Sequence, residues 1–151
     1  GFSSPDQRDS SMHGRVRLLH QVRYGFNESH FHVRADVFEG ALRELADGEF
    51  RLTLRGEEEL RVVIRLAEGK VSGYLVEARE FCLLGPDALV SVACDRFLEV
   101  SIARTLLRLG GRKAFSLVVA LWEGGLPVDV LPVEGALEVR LGAENFAWPV
   151  A

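Results

Sequence analysis

The feature that most restricts this chain is an apolar period of two that recurs from residue 15 almost to the C-terminus. In residues 15–24 the even positions are Val16, Leu18, His20, Val22 and Tyr24, and the odd ones are Arg15, Arg17, Leu19, Gln21 and Arg23. Phe31, Val33, Ala35 and Val37 then alternate with His32, Arg34, Asp36 and Phe38. Side chains of a strand point to opposite faces in turn, so such alternation gives one buried and one wet face. A helix cannot satisfy it, because its period is 3.6. Residues 25–30 read as the turn of a hairpin joining these two strands.

The same pattern predicts strands over 50–55, 60–66, 71–77, 81–84, 88–94, 97–103, 115–123 and around Leu137, Val139 and Leu141. Turn signals separate them: Gly56-Glu57-Glu58-Glu59, Ala67-Glu68-Gly69-Lys70, Gly85-Pro86-Asp87, Asp95-Arg96 and Gly124-Gly125. Two short helical turns interrupt the strands. One places Ala41, Leu42, Leu45 and Ala46 at helical spacing, with Gly48 as its C-terminal stop. The other covers 104–109 and ends at Gly110-Gly111. Nine or ten short strands at this spacing, with no βαβ rhythm, imply an all-β fold: an antiparallel two-sheet β-sandwich.

The 151 residues suit a single domain, and 48% hydrophobic residues suffice for a core without metals or disulfides. Residues 1–14 are polar and read as a flexible arm, leaving 15–151 as the sandwich. The opening Gly-Phe-Ser-Ser, without Met, reads as the start of a fragment. A net charge of −4 argues against a nucleic-acid partner. No apolar run approaches the length of a membrane helix, so no membrane partner is expected. No signal peptide is visible, which says little about the parent of a fragment; a cytoplasmic setting is expected. Cys82 and Cys94 lie in apolar strand-like runs and read as two buried thiols, the alternative being one cross-strand bridge.

Motifs of covalent chemistry are missing. There is no nucleophile elbow, phosphate loop, dinucleotide fingerprint or paired-cysteine motif, and Gly110-Gly111-Arg112-Lys113 lacks the spacing of a phosphate loop. His30 and His32 would share a strand face, where a third ligand such as His20 or Asp36 could complete a metal site; ordinary solvent-facing histidines are the simpler reading. His20 falls on the apolar face of its strand and reads as a hydrogen-bonded core histidine. No metal or other cofactor is implied. The carboxylates fall in turns and at strand ends, and no opposed pair of the kind a glycosidase needs stands out. Asn27-Glu28-Ser29 matches a glycosylation sequon, to which no weight attaches.

Three aromatic residues are candidates for stacking on sugar rings, since a flat ring offers large contact at low entropic cost. Trp122 is out of phase with Phe115, Leu117, Val119 and Leu121. Tyr74 is out of phase with Val71, Gly73 and Leu75. Trp148 stands in the tail. Each could equally plug an end of the sandwich.

Two stretches carry a family resemblance. The first is Met12-His13 followed by Val22-Arg23-Tyr24-Gly25-Phe26-Asn27-Glu28-Ser29-His30-Phe31-His32-Val33-Arg34-Ala35-Asp36. The second is Leu98-Glu99-Val100-Ser101-Ile102, Leu106-Leu107-Arg108-Leu109-Gly110, the strand over 115–123, Leu131-Pro132-Val133-Glu134-Gly135 and the closing Trp148-Pro149-Val150. Together they resemble the C-terminal β-sandwich of family 57 glycoside hydrolases, which are amylase- and amylopullulanase-like enzymes. Ala103 departs from that pattern, standing where a proline often follows the isoleucine. The resemblance implies a non-catalytic accessory domain of an α-glucan-processing enzyme. Its partners would be the catalytic domain of the same parent chain and α-glucan polysaccharide. A sandwich serving only as a structural or protein-interaction piece is the alternative.

Overall fold

The computed structural model describes residues 18–107 and 109–141. The N-terminal arm, Trp148 and the rest of the tail lie outside the described residues. Within them are eleven strands: β1 (Leu19–Phe26), β2 (His30–Val37), β3 (Gly48–Arg55), β4 (Glu59–Ala67), β5 (Lys70–Ala78), β6 (Cys82–Leu84), β7 (Val90–Cys94), β8 (Phe97–Ala103), β9 (Ala114–Glu123), β10 (Leu126–Leu131) and β11 (Leu137–Arg140). Two 3-10 turns, Leu42–Glu44 and Arg104–Leu106, connect strands where short helical turns are expected, the second ending before the predicted 109. No helix among the described residues is long and apolar enough to cross a membrane.

The strands form two packed antiparallel sheets, the sandwich that the alternation implies. One has four strands in the order β1-β2-β8-β7. The other has seven, in the order β10-β9-β3-β4-β5-β6, with β11 also pairing to β9. The chain makes the β1–β2 hairpin, crosses to run β3 to β6, and returns for the β7–β8 hairpin. It then crosses again to lay β9 beside β3. The pairs β2–β8 and β3–β9 thus join the two halves of the sequence.

The core follows from the phase of each strand. Phe31, Val33 and Ala35 of β2 and Leu98, Val100 and Ile102 of β8 face inward. Opposite them stand Phe50, Leu52 and Leu54, Leu60, Val62 and Ile64, and Phe115, Leu117, Val119 and Leu121. Burying each of these Val, Leu, Ile and Phe side chains contributes about 1.5–3 kcal/mol. At one end Phe31 meets Phe115 edge-on at 5.1 Å and Phe26 at 4.9 Å, which locks the two sheets in register.

Four expectations need correction. His20 is exposed and its ring lies 4.8 Å from that of Phe38, tilted by 58°, because β1 carries a bulge between Leu19 and Gln21. The extra residue swaps the phase, so Leu19 enters the core in its place. Gly48 opens β3 and is buried there, with ordinary strand geometry, so it does not cap a helix. Cys82 is exposed on the short edge strand β6, Cys94 is half-buried, and both thiols are free. Gly25 belongs to β1, where it pairs with His32 and lies outside the turn.

Candidate functional site

The outward face of the four-stranded sheet is organised in rows that cross the strands. One row is Gly25, His32, Ser101 and Ser91; the next is Arg23, Arg34, Glu99 and Ala93; the third holds Gln21, Asp36 and Phe97. Successive rows sit two residues apart along each strand, so their side chains share this face. Between the first two rows an open trough of about 640 Å³ runs across all four strands.

Two features shape the trough. Arg34 leans toward the third row: its Nε donates to Asp36 at 2.7 Å and its guanidinium lies 3.7 Å over the ring of Phe97. Gln21 donates to the other Asp36 oxygen at 2.9 Å. Burial alone would raise the Asp36 carboxyl. The bonds from Arg34 and Gln21 and the charges of Arg34 and Arg23 outweigh it, and hold it below the usual carboxylate range. His32 leans the opposite way, its ring 6.0 Å from that of His30.

The protonation of His32 follows from the β1–β2 turn. Asn27 Oδ1 accepts the backbone N–H groups of Ser29 at 2.9 Å and His30 at 2.8 Å, an Asx turn that identifies which end of the amide is oxygen. The amide nitrogen therefore points at His32, and Asn27 Nδ2 donates to His32 Nε2 at 3.0 Å. The proton of the neutral ring then sits on Nδ1, which donates to Ser101 Oγ at 2.8 Å. Burial lowers the affinity of His32 for a second proton and the nearby His30 lowers it further, against an opposing effect of Glu99. Arg104 closes the turn by donating to the carbonyl of Asn27 at 3.3 Å and lying over Phe26.

A serine and a histidine 2.8 Å apart look like a nucleophile and its base, but the bond runs the wrong way. A general base must accept the serine proton. Here His32 donates its Nδ1–H to Ser101 Oγ and its other nitrogen is already accepting from Asn27. Ser101, which lines the trough, accepts that bond and retains its own O–H. The same engagement removes His32 from metal ligation through either nitrogen. Among the described residues no group of three His, Cys, Asp or Glu stands together in a metal-holding arrangement.

The aromatic candidates lie elsewhere. Trp122 is half-buried on the outward face of the seven-stranded sheet, between Glu49 and Pro127. The Arg51 guanidinium, bonded to Glu49, covers its ring at 3.7 Å. Tyr74 faces the other side of that sheet. Its hydroxyl donates to the Val90 carbonyl and accepts the N–H of Asp87, and its ring fills the space over Gly85. Trp148 lies outside the described residues. Trp122 and Tyr74 therefore do not converge.

In the sequence, the trough residues Arg23, Arg34, Glu99 and Ser101 read only as wet-face positions, and Ser91 only as part of an apolar strand. Alternation says which face is outward but not which strands lie side by side. Gly25 carried no signal along the chain either, since it read as the start of the turn and only the structure places it inside β1. No family model, characterised protein or solved structure matches this chain.

Proposed function

We propose that this domain is a non-catalytic accessory module that binds a neutral polyhydroxylated ligand, an α-glucan, in the trough of the four-stranded sheet. The parent chain would be a glycoside hydrolase of the family 57 kind, with this domain at its C-terminal side. What supports the binding reading is the His32–Ser101 contact, in which the Asx turn at Asn27 makes Nδ1 the donor, so that His32 cannot act as a base for the serine. The charges support a neutral ligand. Asp36 neutralises Arg34, while Arg23 and Glu99 balance each other at separate points of the second row. Such side chains form charge-assisted bonds to sugar hydroxyls without demanding a charged partner.

Affinity electrophoresis in gels containing soluble starch or glycogen tests this reading. Retardation of the native domain is expected, lost in Arg23→Ala and Glu99→Ala and kept in Trp122→Ala. Migration unaffected by high polysaccharide removes it.

The structural alternative has one observation of its own. Leu84 is 73% exposed on the edge strand β6, beside Leu75 on the outward face. An edge of this kind suits contact with another domain. If the gels show no retardation, Leu84→Lys in the parent chain should weaken its thermal stability.

A further inference from the structure

We propose that the β1–β2 turn is a proton-sensitive latch, closed on neutral His32 and opened when the ring takes a second proton. The latch does not depend on what occupies the trough.

Every polar atom at this junction has its direction fixed. Asn27 Oδ1 is committed to the backbone N–H groups of Ser29 and His30, and the Ser29 hydroxyl lies 3.3 Å from the same oxygen. The amide therefore has only N–H to offer His32 Nε2, 3.0 Å away. On the other side of the ring, Nδ1 donates to Ser101 Oγ at 2.8 Å, a bond that both protonation states can make.

A second proton lands on Nε2, and a donor–acceptor pair becomes two facing donors. The amide cannot turn over to present oxygen, because its nitrogen would then face the N–H groups of Ser29 and His30. The ring cannot swing away without giving up Ser101. The side chain that yields is Asn27, and its oxygen is what holds the turn. Such a turn is stabilised by a few local bonds, so it can open without the sheets.

The turn is also tied to the chain after β8. The Arg104 backbone N–H donates to the Ser29 carbonyl at 2.8 Å and Nη1 to the Asn27 carbonyl at 3.3 Å, while the guanidinium lies 5.3 Å from the Phe26 ring. Opening the turn releases both of these bonds.

The charges around His32 come from several elements. On β2 they are His30, 6.0 Å away, and Arg34, which leans off toward Asp36. On this face β8 presents Glu99, β1 presents Arg23 and the phenol of Tyr24, and β7 brings only Ser91, Val92 and Ala93. Glu28 stands in the turn itself. Burial and His30 oppose the charged ring more than Glu99 favours it. The latch is therefore closed above the ordinary histidine value of about 6.5 and opens as pH falls below it.

NMR of the whole chain tests this by following the His32 ring and the amides of Ser29, His30 and Arg104 through one pH titration. Protection of the Ser29 and His30 amides from solvent exchange, corrected for its intrinsic pH dependence, should fall roughly tenfold with the midpoint of the His32 ring. Asn27→Asp distinguishes a latch from general loosening in acid. Its carboxylate accepts the same two N–H groups and also accepts from a charged ring, so the His32 midpoint should rise and the turn should stay closed when His32 is charged. His30→Gln should keep the opening and His32→Gln should abolish it. Protection unchanged across the His32 titration, or lost only together with the whole fold, overturns the latch. So does opening that persists in Asn27→Asp or follows His30 instead of His32.

Discussion

The carboxylate of Asp129 accepts the backbone N–H of Leu19 at 2.9 Å, across 110 positions of chain. The same oxygen accepts the N–H of Leu18 at 2.9 Å, and the other accepts that of Val130. Asp129 is 1% exposed. Each side of this contact is made by a bulge. The one in β1 turns Leu19 inward instead of His20. The one in β10, between Pro127 and Asp129, turns Asp129 inward instead of Val128. The edge strands β1 and β10 of the two sheets are tied together by that carboxylate.

Removing the carboxylate leaves backbone donors without an acceptor. Asp129→Ala should cost on the order of 2–4 kcal/mol, read as a lower urea midpoint. Asp129→Asn keeps one oxygen and should fall between the two. Equal stability of all three proteins would show that this link adds nothing.

The Nδ1–H form of His32 is directly observable by nitrogen NMR of the ring. Its proton affinity is lowered by burial and by His30, so the folded state resists charging more than the unfolded chain. The stability associated with neutral His32 is full above the unfolded value of about 6.5. It is lost as pH falls through the lower folded value. His32→Gln should flatten stability across that window. The loss at still lower pH should remain, because Asp36 and Glu59 are both held below the usual carboxylate range. Arg34 and Gln21 hold Asp36 against the effect of burial; Arg55, then Arg61, hold Glu59.

Tyr74 ties β5 to the connection before β7 through its hydroxyl. Tyr74→Phe should destabilise the domain by about 1–3 kcal/mol, because the N–H of Asp87 and the carbonyl of Val90 lose their partner. A Cβ at position 85 would stand 2.4 Å from the Tyr74 ring. Gly85→Ala should therefore be damaging alone, and much less so combined with Tyr74→Leu. Additive effects in this double-mutant cycle would contradict the contact.

The two thiols should differ in reactivity. Burial, aided by Asp95, pushes the Cys94 thiol up to about 11, so little thiolate forms at pH 8. Cys82 is exposed. A colourless disulfide reagent releasing a coloured thiolate should therefore count one fast thiol in the native protein and a second only on unfolding. Cys82→Ser should abolish the fast phase.

Much of this architecture is legible in the residues. Phe31, Val33 and Ala35, then Leu98, Val100 and Ile102, then Phe115 to Leu121, alternate so regularly that the chain alone names their inward faces. Alternation misleads where the period breaks: the bulge at His20 inverts the phase of the residues before it, and no propensity announces one. The strand Leu126–Leu131 is hard to read because Pro127 and a buried Asp129 are both unusual within a strand. Trp122 is out of phase with its core neighbours in sequence and faces outward in the fold, but nothing along the chain shows that Arg51 covers its ring.

By itself the sequence determined the class of fold, because local alternation is a property of each strand and needs no knowledge of its neighbours. Only the tertiary structure decided which strands stand side by side. Ser101 meets His32 across 69 positions, and Arg34 meets Glu99, through the pairing of β2 with β8. Many pairings would bury the same apolar faces equally well. The outward rows that form the trough, and the tautomer of the histidine within it, therefore exist only once long-range register has been set.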